Sequence, residues 1–300
     1  MKTKFQYACS VMAVAGGLFS GAAHATLTGL SCSTTDVSVT SVAQYSDTSS
    51  SAKLGKPQEA NISSAACLGA YVGNDAFYPT TNLGYAGDGI LNGGTQAKTG
   101  EILFPNPPGA FVTPTYPLHD LDGDGQVNDP GWIMLGKFEP LFEGGPFVFS
   151  PNAVGGDSSI VLSTFFSATI TGAGVGTWAF TPDATVAQRA SAMLGKNYFD
   201  QFALVFKAGD EFAVYDFTAA QFGVAHPSAE EPILNFFGTY DTRTTLRAGG
   251  ADGSKNPAGL SHISIWVRDP GPGGSVPEPA TLVLFGIAAL GVAAVRKYKA

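Results

Sequence analysis

The feature that most constrains this chain lies at its C-terminus, where sixteen residues without a charge, Ala280 to Val295, run straight into Arg296, Lys297 and Lys299. As a helix rising about 1.5 Å per residue the run spans roughly 24 Å, against a hydrocarbon core of about 30 Å. It crosses a bilayer only with Pro279, Thr281 and snorkelling lysine stems filling the edges. Basic residues stay on the cytoplasmic side, which puts the body of the chain outside the inner membrane. The front of the chain agrees. Lys2 and Lys4 precede a largely apolar stretch from Tyr7 to Ser20, and Ala23-His24-Ala25 supplies the small-x-small site that a signal peptidase cuts. The expectation is a signal peptide at 1–25, export, and transient anchoring in the inner membrane by the C-terminal helix.

Body and tail are joined by Asp269-Pro270-Gly271-Pro272-Gly273-Gly274-Ser275, a flexible linker at 269–275. Then come Val276-Pro277-Glu278-Pro279. The two prolines hold this site extended and out of the helix, open to an enzyme at the membrane face. Motif, apolar helix and basic cluster, in that order over 276–300, resemble the PEP-CTERM sorting signal of Gram-negative bacteria that make extracellular polysaccharide. The resemblance implies recognition by an integral-membrane exosortase and delivery to the cell surface or the biofilm matrix. The alternative is a permanent tail anchor.

The body, residues 26–268, reads as one ectodomain. The chain carries a net charge of −8, and five of its sixteen basic residues lie in the two end segments, so the body is more acidic still. Such a surface repels nucleic acid and attracts divalent cations. Asp36 to Val42 alternates polar and apolar side chains, as a half-buried strand does. Ile160 to Thr171, Thr177 to Phe180, Phe202 to Lys207, Phe212 to Phe217 and Ile263 to Arg268 read as further strands, with Gly209-Asp210 turning one into the next. Asp183 caps one expected short helix, Ala184 to Leu194, which Gly195 stops. The expected class is mainly β: an antiparallel, jelly-roll-like β-sandwich with one short helix, flanked by the signal peptide and the transmembrane sorting helix.

Cys9 falls in the signal peptide, leaving Cys32 and Cys67 as an even pair in a chain bound for an oxidising compartment. A disulfide between them closes a loop of about 35 residues and stabilises by roughly 3 to 4 kcal/mol. The alternative is two buried thiols.

The strongest chemical signal is His119-Asp120-Leu121-Asp122-Gly123-Asp124-Gly125-Gln126-Val127-Asn128-Asp129. Carboxylates alternate and a glycine sits at the bend, so three oxygens can converge on one hard cation, as at positions 1, 3, 5 and 6 of an EF-hand loop. The candidate Ca²⁺ ligands are Asp120, Asp122, Asp124, the Gln126 carbonyl, Asn128 and Asp129. Position 12, where a bidentate Glu belongs, is Gly131, so Asp129 or a distant acid such as Glu139 or Glu143 has to complete the shell. Calcium here would be structural, pinning the irregular segment between Pro105 and Pro130; the alternative is a solvated acidic turn held by Asx bonds.

A second resemblance covers most of the body. Asn82-Leu83-Gly84-Tyr85 with Gly87 to Gly93, the acidic loop with Asp129-Pro130-Gly131-Trp132-Ile133, Phe202 to Gly209, and Gly259 to Ser264 look like a recurring ectodomain of PEP-CTERM proteins. That resemblance implies a surface protein and supplies no catalytic residues. The residues agree. Gly259-Leu260-Ser261-His262 lacks the last glycine of a nucleophile elbow, no His-Glu-x-x-His is present, and Gly172-x-Gly174-x-Gly176 precedes a strand rather than a helix. The three histidines of the body, His119, His226 and His262, are not grouped. The expectation is a non-enzymatic, structural or exopolysaccharide-binding protein, with Trp132, Trp178 or Tyr85 as candidate sugar platforms. The alternative is a polysaccharide-modifying enzyme with an unmarked acidic pair.

Overall fold

The computed structural model describes residues 31–46, 51–75, 77–78, 81–97, 99–140, 147–152, 165–182, 198–224, 233–249 and 255–271. The signal segment, the expected helix 184–194, His226, Glu143 and the sorting tail 276–300 lie outside them. Among the described residues no helix is long and apolar enough to cross a membrane.

The strands are β1 (Val37–Gln44), β2 (Gln58–Ser63), β3 (Ala66–Val72), β4 (Phe77–Tyr78), β5 (Thr95–Gln96), β6 (Trp132–Pro140), β7 (Phe147–Pro151), β8 (Phe166–Gly172), β9 (Val175–Phe180), β10 (Gln201–Ala208), β11 (Glu211–Thr218), β12 (Leu234–Asp241), β13 (Arg247–Gly249), β14 (Lys255–Pro257) and β15 (Leu260–Arg268). They build a five-stranded sheet in the order β2-β1-β12-β9-β8 and a six-stranded sheet in the order β3-β11-β10-β15-β6-β7, both antiparallel. The first strand begins one residue later than its alternation predicts. Asp36 ends a short 3₁₀ turn, where its buried carboxylate accepts bonds from Ser33 N, the Tyr215 hydroxyl and the Thr245 hydroxyl.

Aromatic rings join the sheets face to face. Phe202 on β10 touches Trp178, Phe180 and Phe236 of the opposite sheet at centroid distances of 6.2, 5.5 and 4.9 Å, and Phe206 meets Tyr240 at 5.0 Å. Each such ring removes a large apolar area from water, and the tilted contacts add a further attraction of about 0.5 to 1.5 kcal/mol per pair. Trp178 therefore faces the core, 2% exposed, and Trp132 is 0% exposed, so neither serves as a sugar platform. Their size and apolar flanks place them in the interior.

The second face of the six-stranded sheet is also buried. Every residue of β10 is buried, although Phe202, Leu204 and Phe206 alternate with Gln201, Ala203, Val205 and Lys207. The cover is the irregular segment between β3 and β6. Ile90, Leu91, Leu103, Phe104 and Ala110 form a second core there with Val205, Val214, Phe212, Trp132 and Trp266. Two asparagines lock this cover to β6. At Trp132 and Met134 that strand has no registered partner on its β7 side, where pairing begins at Gly136. Asn92 exchanges two amide bonds with the Trp132 backbone (2.7 and 2.9 Å), and Asn82 does the same with Met134 (2.7 and 2.9 Å). The side-chain amides thus stand in for a missing strand, satisfying backbone groups that burial would otherwise penalise.

Candidate functional site

The acidic loop hangs from one end of this cover. His119 and Asp129 close it with a two-bond antiparallel bridge (3.0 and 2.8 Å). Gly84 and Gly131 pass so closely that a Cβ on Gly84 would lie 2.6 Å from the Gly131 carbonyl carbon, and Gly131 N donates to Gly84 O at 2.9 Å. Only glycines allow that approach, and it brings the 82–93 segment against the loop.

Oxygens of Asp120, Asp122 and Asp129 come within 4.8 Å of one another. Asp129 is fully buried. Its Oδ1 accepts Ala86 N (2.7 Å), and its Oδ2 accepts Leu121 N (2.6 Å) and Asp122 N (3.3 Å). The exposed Asp124 is turned toward Gln126, accepting that residue's backbone N at 2.7 Å and its side-chain amide at 3.2 Å. Buried Oδ1 atoms of Asp120 and Asn128 have no partner among the described residues. Three like-charged carboxylates this close repel one another, and the pair of idle oxygens fits a hard cation. Glu139 is elsewhere: it sits seven residues up β6 from Trp132, about 23 Å along the strand, so it does not complete this shell. Tyr85, partly exposed, stands over the loop. Burial, then the charges of Asp122, Asp129, Asp88 and Asp269, push its hydroxyl pKa up.

Arg268, the last residue of β15, grips both feet of the loop. It is fully buried. Its Nε donates to Pro130 O (2.8 Å), its Nη2 to the carbonyls of Tyr116 (3.2 Å) and Pro117, and its Nη1 to Asp200 Oδ2 (2.7 Å). Burial raises the Asp200 carboxyl to about 6 despite this guanidinium. On β11, Asp216 is raised well above the ordinary range, by burial and then by the charge of Asp200.

The opposite end of the same face carries a different knot. Asp75, fully buried, shares Oδ1 with His262 Nε2 (2.7 Å) and Lys137 Nζ (3.3 Å), and Oδ2 accepts the Ser264 hydroxyl. Burial pushes this carboxyl up, but His262, with Lys137 and Ser264, outweighs it and holds the pKa at about 2. A serine, a histidine and an aspartate meet here, but serine and histidine both bind the aspartate, so no base faces the hydroxyl as nucleophilic catalysis requires.

Cys32 and Cys67 form a disulfide, Cα to Cα 6.1 Å. Asp75, Lys137, Asp200, Gln201, Asp216, Ser264 and Arg268 were not singled out from sequence as site residues. Lys137, Gln201, Asp216, Ser264 and Arg268 occupy outward positions of strands, where polar residues ordinarily meet solvent, and Asp75 and Asp200 lie in the connections just before β4 and β10; the only signal is that polar side chains interrupt otherwise apolar strands.

A family model of the PEP-CTERM protein-sorting motif matches residues 275–297. No curated protein and no solved structure matches the chain. The motif makes this a PEP-CTERM protein and an exosortase substrate, and implies export and membrane-anchored sorting in a Gram-negative bacterium. The match ends at the linker, so the likeness of the ectodomain to a recurring PEP-CTERM module rests on the residues alone.

Proposed function

We propose that this protein is a non-enzymatic component of the cell surface or exopolysaccharide matrix, delivered by an exosortase, and that its ectodomain binds neutral glycan while calcium staples its acidic loop. The observation that carries the reading is the sorting motif at 275–297. Glycan binding draws support from the outer face of the five-stranded sheet. Ser63, Ser38, Thr239, Thr177 and Thr169 pair in one row across all five strands, without a charge in the row. Strands lie about 4.8 Å apart, so an extended polymer lying along this row meets a hydroxyl at each step. An enzyme is disfavoured because the carboxyls raised by burial, Asp88, Asp200 and Asp216, are at most 6% exposed and out of a polymer's reach.

Replacing Pro277, Glu278 and Pro279 with alanine in the producing cells tests the sorting. Loss of processing and retention at the inner membrane is expected; unchanged processing contradicts exosortase recognition. Pull-down on the producer's own polysaccharide tests the binding. Thr177→Lys with Thr239→Lys should abolish retention, whereas release of shortened sugars by the wild-type chain would favour the enzyme.

A further inference from the structure

The end of the six-stranded sheet beneath Arg268 holds side chains that the acidic loop does not use. Gln201 is the register partner of Thr218 on one side and Arg268 on the other; in the next row Asp216 faces Ala203, which faces Trp266. Side chains on one sheet face stand in such rows. Ala203 puts only a methyl group between Asp216 and Trp266 in its row, with Gln201 and Arg268 in the row beside it. Gln201 and Asp216 are each 3% exposed and Asp200 6%. Among the described residues, Gln201 Oε1 and Nε2, Asp216 Oδ1 and Asp200 Oδ1 have no hydrogen-bond partner. One such buried atom costs about 1 to 3 kcal/mol, and four on three neighbouring residues around Arg268 call for a ligand.

We propose that Asp216, Gln201 and Asp200 form an internal cation site, separate from the acidic loop, whose ligand is a hard, oxygen-preferring ion such as Ca²⁺. The sign follows from the charges. Asp200 binds, and Asp216 interacts with, a single guanidinium, and all three nitrogens of Arg268 already donate, to Asp200 and to the carbonyls of Tyr116, Pro117 and Pro130. An anion would meet carboxylates with no donor to spare, and a neutral ligand would leave the buried Asp216 carboxyl uncompensated. Three free oxygens, two carboxylate and one amide, are the donor type that hard cations take. Gln201, Asp216 and Asp200 are at most 6% exposed, so the ion should exchange slowly.

The test is equilibrium dialysis of the full chain in detergent with radioactive Ca²⁺, after stripping with chelator, for wild type, Asp122→Asn and Asp216→Asn. Asp122→Asn should still bind one ion, which chelator removes slowly, and Asp216→Asn should lose that slow ion. A single ion abolished by Asp122→Asn and kept by Asp216→Asn overturns this proposal and leaves the loop reading standing; the reverse pattern does the opposite. No binding by wild type overturns both. Should Asp216→Asn fail to fold, Gln201→Met decides. Removing an unpartnered amide should raise the melting temperature of the stripped protein while weakening the slow site at least about 10-fold; unchanged affinity overturns the proposal.

Discussion

Two buried acidic knots sit at opposite ends of one sheet face, and their donors set them apart. At the Asp75 end, His262, Lys137 and Ser264 all turn toward a single carboxylate, which stays ionised down to a pH of about 2. At the Arg268 end one guanidinium serves Asp200 and three backbone carbonyls, while Asp216 and Gln201 keep idle polar atoms and the Asp200 pKa rises to about 6. Burial acts in the same direction on both. The count of donors decides which end is a finished structural tie and which is open to a ligand.

The largest effect that sharpens this contrast should come from Asp75→Ala. It strands Lys137, His262 and Ser264 beneath the cover segment and should cost about 3 to 5 kcal/mol in urea unfolding; a loss under about 1 kcal/mol would mean the knot is no tie. Next in size are the opposed pH limbs. Asp75 is lowered from 3.8 to about 2, so its stabilisation is present above pH 4 and is lost as pH falls toward 2. Asp200 is raised from 3.8 to about 6, so its contribution is full below pH 4 and is lost as pH rises to 6. Unfolding free energy should climb from pH 2 to 4 and then fall by roughly 2 to 3 kcal/mol by pH 6. Asp200→Asn should shrink only the second limb, part of which Asp216 and Asp88, also raised by burial, retain; a wild-type profile without a fall above pH 4 breaks the comparison. The smallest effect belongs to the exposed loop. Calcium at ten times its dissociation constant should raise the unfolding free energy through this loop by about 1.4 kcal/mol, and Asp122→Asn should remove that increment in calorimetry while leaving both pH limbs in place.

Much of the architecture is legible in the residues. The alternation of Val37 and Val39, and of Phe202, Leu204 and Phe206, marks the inner faces of β1 and β10, and the even cysteine pair marks the disulfide. The Asp-x-Asp-x-Asp-Gly spacing locates a loop that does bring Asp120 and Asp122 together, with Asp129 as third member. The second core was not legible, because period-two reasoning assigns the polar side of a strand to water. Lys207, Asp216, Ser264 and Arg268 look solvent-facing until the segment between β3 and β6 folds over them, and that segment has no periodicity to announce it. The same blindness made Trp132 read as a surface platform, when its indole Nε1 donates to Ala110 O (2.8 Å) under that cover. Side-chain amides replacing a strand, as Asn82 and Asn92 do along β6, leave no pattern in composition or spacing.

The most direct test is a carboxyl-carbon NMR titration of the full chain in calcium-free detergent solution. The account predicts Asp75 titrating near 2, Asp200 near 6 and Asp216 well above the ordinary carboxylate range. All three titrating together near 4 would contradict it, since the two ends of the sheet would then be electrostatically alike.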